Sequence, residues 1–143
     1  MLRRAVLMVV AALGLAVAAG PAFAQLAPME IRGATTVNAD GVIKLIESET
    51  RLVILDNRRA EDFAVGHIEN AKRILDTDLD QAKMVGFVPV KDQPVLFYCN
   101  GLSCGRAAKA AEMAVGWGYT KVYYYALGMD EWKKLGLPLT VAN

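Results

Sequence analysis

The stretch YCNGLSCGRAAKAA, residues 98–111, carries both cysteines of the chain, Cys99 and Cys104, five positions apart, with Gly101, Gly105 and Arg106 close by. These residue types admit three chemistries. Two thiolates can clip a metal ion, but zinc ordinarily takes four ligands from cysteine, histidine and carboxylate. Here the two cysteines and His67, the one histidine, make three at most, so no metal site is expected. Two thiols can instead close a disulfide, and in a single chain this pair has only itself to join; a loop of this length meets disulfide geometry if it bends back. Or one cysteine is a nucleophile and the other its neighbour. Against all three stands the plainer reading that Cys99 is a buried strand-end residue, since free cysteine is among the most buried residue types.

Which chemistry is open depends on the elements around the pair. PVLFYC, residues 94–99, is a short apolar run of the kind that forms a strand buried on both faces, and AAKAA opens a long helix at about residues 104–116. Cys99 thus ends a strand and is followed by a short loop into a helix. Gly101 and Gly105 allow that loop to curl with its backbone N–H groups, from Asn100 through Leu102 and Ser103 to Gly105, facing the sulfur. The helix aims the positive end of its dipole at the same place. Both effects favour a thiolate. Arg106, in the first helical turn, supplies a fixed positive charge able to hold an anionic substrate.

The same alternation runs along the chain. RLVILD (51–56), a short segment near AKRIL (71–75) and KVYYYA (121–126) read as further strands. Helices are expected at AEDFAVG (60–66), at about residues 78–86 and 129–135, and after Asn38, which is placed to cap a helix through Val42, Leu45 and Ile46. Strands alternating with helices predict an α/β fold, a central parallel sheet with helices on both faces, in one domain. In such folds ligands gather beyond the carboxyl ends of the strands, where Cys99 falls. Tyr98 and Tyr123 to Tyr125 fit strand packing, with some hydroxyls at the rim, and Trp117 and Trp132 fit core or helix-end packing.

With 143 residues, 55% apolar and 22% charged, the chain has the composition of a single globular domain. Part of the apolar content lies in the first 24 residues, where Arg3 and Arg4 precede AVLMVVAALGLAVAA, a Gly20-Pro21 turn and the small residues of Ala22 to Ala24. That order predicts a secretory signal peptide over residues 1–24, cut after Ala24. The run of fifteen apolar residues falls short of the roughly 20 that a spanning helix needs, so no stable membrane insertion is expected after cleavage. Residues 25–36, which carry Pro28 and Gly33 without periodicity, read as a loosely ordered lead-in to a domain over 37–143. Without Arg3 and Arg4 the sixteen basic residues become fourteen against fifteen acidic ones, which leaves no basic excess for nucleic acid. A periplasmic or secreted location places both thiols where they tend to oxidise.

Three segments resemble the rhodanese-like domain family. LDNRRAEDFAVGHIENAKRI (55–74) is similar to the family segment with Asp56, Arg58, Glu61, Asp62, Phe63, Gly66, His67, Ile68 and Ala71 in matching order. ALGMDEWKKLGLP (126–138) resembles its last helix through Gly128, Met129, Trp132, Gly136, Leu137 and Pro138, and VLFYC before the alanine-rich helix stands where the family keeps its active-site loop. The resemblance implies that Cys99 accepts a sulfur atom as a persulfide from a small sulfur-containing anion such as thiosulfate and passes it to a thiol or cyanide, with the N–H groups of residues 100–105 as cradle, Arg106 as clamp and no cofactor. It makes Asp56 and Arg58 an ion pair beneath the loop and His67 a structural residue.

One departure stands out. The commonest loop of the family closes on an arginine five positions after the cysteine, whereas here Cys104 stands fifth and Arg106 seventh. This pattern resembles a subgroup with Cys99, Gly101 and Cys104 in a Cys-x-Gly-x-x-Cys arrangement. It leaves Cys104 open as a resolving residue, a disulfide partner or a mere loop residue, and argues against phosphatase activity and for an altered response to thiosulfate. Beside the sulfurtransferase stand a dithiol redox protein and a silent binding module on the same fold.

Overall fold

The computed structural model describes residue 20 and residues 24–142. The export signal expected over residues 1–24 therefore lies outside the described residues, apart from Gly20 and Ala24. Five strands form one sheet in the order β1-β5-β4-β2-β3, every neighbouring pair parallel. They are β1 (Thr35–Thr36), β2 (Val53–Asp56), β3 (Lys72–Arg73), β4 (Val95–Tyr98) and β5 (Val122–Tyr125). Between them run α1 (Ala39–Ser48), α2 (Ala60–Val65), α3 (Gln81–Phe87), α4 (Arg106–Gly116) and α5 (Gly128–Lys134), with a 3₁₀ turn at Asp76–Asp78. This is the α/β architecture that the alternating pattern predicts.

Successive side chains of a strand point to opposite faces, and that alternation splits the core in two. Leu55, Val95, Phe97 and Tyr124 face one way and pack with Met84 of α3 and with Ala107, Ala110, Ala111 and Ala114 of α4. The small alanines let α4 lie close on the sheet, so the helix that follows the cysteine loop is seated firmly. Ile54, Leu96, Tyr98 and Tyr125 face the other way, against Val42 of α1 and Met129 and Trp132 of α5. Strand β4, buried at all four positions, is the centre of both layers.

Asn38 caps α1 as expected, its Oδ1 accepting from Gly41 N at 3.0 Å. The buried stripe of α1 is Ala39, Val42 and Leu45; Ile46, expected on the same face, is 42% exposed because it stands one helical step beyond that stripe. Helix α4 begins at Arg106, not at Cys104, since the Cys104 N–H closes a turn on Gly101 O at 3.0 Å and Gly105 takes the cap position. Strand β1 was not anticipated: two threonines offer no alternation to read. Around it, Thr36 Oγ1 donates to Met29 O at 2.8 Å, Tyr124 Oη to Pro28 O at 2.9 Å and Ala27 N to Leu102 O at 2.7 Å, so the lead-in runs across the sheet edge as far as the cysteine loop.

Candidate active site

The site begins where β4 ends. Cys99 is 2% exposed, and its carbonyl accepts from Met129 N at 3.0 Å, while the carbonyl of Asn100 accepts from Asp130 N at 2.7 Å. The first turn of α5 thus holds the two peptide oxygens that open the loop. Gly128 makes this approach possible: its φ is 53°, and a Cβ there would collide with the carbonyl oxygen of Cys99. A Cβ on Gly101 would collide with the Asp130 carboxylate. Gly128 is therefore required by the close approach of two backbones, whereas at Gly101 the neighbour is the end of a side chain that can move.

Cys99 and Cys104 are joined by a disulfide, their Cα atoms 6.1 Å apart. The loop does bend back, and the two sulfurs are unequal: Cys99 is buried and Cys104 half-buried. Arg106 serves both. Its Nη1 lies 3.8 Å from Cys99 Sγ and 3.5 Å from Cys104 Sγ, on the first residue of α4, where the helix dipole is also positive. No backbone carbonyl among the described residues accepts from the N–H groups of Asn100, Gly101, Leu102, Ser103 or Gly105. The rim carries acid as well: Asp62 Oδ2 accepts from Asn100 Nδ2 at 3.4 Å, and Asp130 stands against Gly101.

Beside this loop, at the end of β2, lies a wholly buried ion pair. Arg58 Nη2 and Asp56 Oδ2 are 2.7 Å apart, Arg58 Nε reaches Asp56 Oδ1 at 3.0 Å, and Nη2 also donates to Gly66 O at 2.8 Å. Burial draws the Arg58 guanidinium down, but hydrogen bonding and attraction to Asp56 outweigh it, and the net direction is up. Tyr98 completes the cluster, its hydroxyl donating to Asp56 Oδ2 and accepting from Ile68 N at 3.2 Å. Burial, and then the negative charge of Asp56, push its phenol well above the ordinary value. The tyrosine hydroxyls are expected at the rim, but that of Tyr98 is buried and bonded, and a tyrosine ending an otherwise apolar buried strand signals such a polar partner inside. Asn57, also missed, links the pair to the cysteine: its carbonyl oxygen is 3.9 Å from Cys99 Sγ and its Nδ2 donates to Ile74 O at 2.8 Å.

His67 is tied to the backbone and ring around it. Its Nδ1 is 2.9 Å from Phe63 O, which makes it the protonated ring nitrogen, and the ring stacks on Phe63 with centroids 3.7 Å apart. Its main chain pairs with Thr140, each N–H donating to the other's carbonyl at 2.9 Å. Trp132 is packed in the core with Nε1 donating to Pro138 O at 2.8 Å, and Trp117 caps the end of α4. Among the described residues, no group of three or more His, Cys, Asp and Glu is arranged to hold a metal ion.

Fold and site together define a parallel α/β domain whose central strand ends in a cysteine loop leading into a helix. The model of the rhodanese-like domain matches residues 38–135. Among solved structures, the BH2092 protein of Bacillus halodurans aligns with a TM-score of 0.65 at 23% identity, over 76% of this chain and 77% of that one. The thiosulfate sulfurtransferase of Pseudomonas aeruginosa aligns at 0.63 and 20% identity over 78% of this chain and 21% of that larger one. The polysulfide-sulfur transferase homodimer of Wolinella succinogenes aligns at 0.61 and 22% identity, over 78% and 81%. At such identities these likenesses are of fold. The chain belongs to the rhodanese-like domain family, a family of sulfurtransferase type.

Proposed function

We propose that this protein is a sulfurtransferase that carries sulfane sulfur on Cys99. The observation that carries the reading is the position of Cys99 at the end of β4 with the Arg106 guanidinium 3.8 Å from its sulfur. In the reduced protein the Cys99 thiolate attacks the outer sulfur of a donor such as thiosulfate or a polysulfide. The donor's sulfur–sulfur bond breaks, the leaving group departs with the electron pair, and Cys99 holds a persulfide. An acceptor thiolate or cyanide then takes the outer sulfur and returns the Cys99 thiolate. Arg106, the N-terminus of α4 and the N–H groups of Asn100, Gly101, Leu102, Ser103 and Gly105, which no backbone carbonyl among the described residues engages, favour the anionic sulfur at each stage. Intact-mass measurement tests this directly: reduced protein treated with polysulfide should gain about 32 Da, one sulfur atom, and Cys99→Ser should gain none. A reduced wild-type chain that takes up no sulfur from any sulfane donor overturns the reading.

The partners in this reading are a small sulfur-containing anion and a thiol acceptor, met outside the cytoplasm. Residues 1–24 form the export signal, and the exported chain begins at Gln25; amino-terminal sequencing of the protein from the cell envelope or medium checks this. No helix among the described residues is long and apolar enough to cross a membrane. The Cys99–Cys104 disulfide favours a second reading, a dithiol protein that cycles with a redox partner. A reduction potential below about −300 mV would mark the bond as structural and remove that reading.

A further inference from the structure

Both readings leave the second cysteine without a task in sulfur transfer. Resting on the proposal that Cys99 carries a persulfide, we infer that Cys104 resolves it: the Cys104 thiolate attacks Cys99 Sγ, closes the Cys99–Cys104 disulfide and expels the outer sulfur as hydrosulfide. The protein then reduces sulfane sulfur to sulfide at the expense of a dithiol.

The atoms balance without an oxidant. Cys99–S–SH and the Cys104 thiolate give the Cys99–Cys104 disulfide and HS⁻; the bond from Cys99 Sγ to the outer sulfur breaks as the bond from Cys104 forms. The outer sulfur leaves with the electron pair and is reduced by two electrons, and the two cysteines are oxidised by two. The inner sulfur of the persulfide is Cys99 Sγ itself, the atom to which Cys104 is joined in the structure. No rearrangement of the fold separates the two states, because the ends of the loop are fixed by α5 at Cys99 and Asn100 and by the start of α4. A nucleophile so placed acts at high effective concentration and competes with any acceptor in solution.

Restoring the dithiol takes an external reductant, a small dithiol or a protein dithiol, and the unequal exposure of the two sulfurs directs it. Cys104 is half-buried whereas Cys99 is 2% exposed, so the incoming thiolate meets Cys104 first. Cys99 then leaves as the thiolate beside Arg106 Nη1, ready for the next sulfur, and the reductant's second thiol frees Cys104. Arg106 touches both sulfurs, and the one guanidinium favours the anion on whichever of them carries it. A loop with an arginine in place of Cys104 has no such route and depends on an outside acceptor.

The experiment uses the full protein, reduced, loaded once with polysulfide, freed of excess donor and left without thiol or cyanide. Hydrosulfide is measured with time, and the state of each cysteine is read by alkylation and intact mass. Wild type should release about one hydrosulfide per chain as the persulfide mass gives way to that of the disulfide form, and Cys104→Ser should hold its persulfide and release hydrosulfide at least about tenfold more slowly. Wild type that keeps its persulfide while Cys104 remains open to alkylation overturns the inference without recourse to any variant. Cys104→Ser that loads sulfur and releases hydrosulfide as fast as wild type overturns the role of Cys104 alone. If neither Cys104→Ser nor Cys104→Ala takes up sulfur while wild type does, Cys104 is needed for loading, and its assignment to resolution alone is overturned. Failure of wild type itself to load overturns the transfer reading, and this one with it.

Discussion

Arg106 lies against both sulfurs and in the first turn of a helix, so its charge acts where an anion must form. Removing it should make the Cys99 thiolate of the reduced protein less favoured and slow persulfide formation by about 10- to 100-fold, with Arg106→Lys intermediate because an ammonium keeps the charge and loses the planar fork. The rate of iodoacetamide alkylation of Cys99 against pH reads the first effect, and sulfur uptake by intact mass the second. An alkylation profile identical to wild type in Arg106→Ala would remove Arg106 from the site. The Asp56–Arg58 pair acts differently. It is wholly buried, bonded to Gly66 and capped by Tyr98, so it fixes the end of β2 next to the loop without touching sulfur. Its members were recognisable through the family resemblance of residues 55–74, whereas the part of Tyr98 depends on a neighbouring strand 42 positions away in sequence and was not.

At the scale of elements, the loop is held by the junction of β4 with α5. Two N–H groups of α5 bind the carbonyls of Cys99 and Asn100, and Gly128 lets the two backbones meet. Gly128→Ala puts a Cβ against the Cys99 carbonyl oxygen at a φ of 53°, and should cost about 1–3 kcal/mol and slow sulfur uptake together. Urea denaturation and the mass assay measure the two losses; an alanine variant as stable and as active as wild type would show that the junction does not set the loop. The helices and the longer strands were legible because β2, β4 and β5 are continuous apolar runs and α4 is rich in alanine. Strand β1 was not, since two threonines become a strand only through pairing with Tyr123 and Tyr124. Ile46, expected in the buried stripe of α1, lies at its exposed edge for a related reason: spacing gives the width of an apolar stripe, and the sheet decides which part of it is covered.

For the molecule as a whole, buried tyrosines link stability to alkaline pH. Tyr98 and Tyr125 are both pushed up from the ordinary 10.0, first by burial and then by the nearby carboxylates of Asp56 and Glu131 respectively. The folded chain keeps these protons where the unfolded chain loses them, so the stability they contribute is fully present below about pH 10 and is lost as pH rises beyond it, by about 1.4 kcal/mol per pH unit for each phenol. Tyr98→Phe should flatten that decline by one proton; urea midpoints at pH 9 to 11 read it, and an unchanged slope would count against the buried phenol. Taken by itself, the sequence determined the α/β class, the strand that ends in Cys99 and the family, because apolar runs, helix caps and motif order are local properties of a chain. The tertiary structure decided what no local property holds: that Cys104 reaches back to Cys99, that Arg106 serves both sulfurs, and that α5 and the lead-in grip the loop. Each of those is a contact between atoms whose distance depends on how separate elements pack, and packing is settled by the whole core at once.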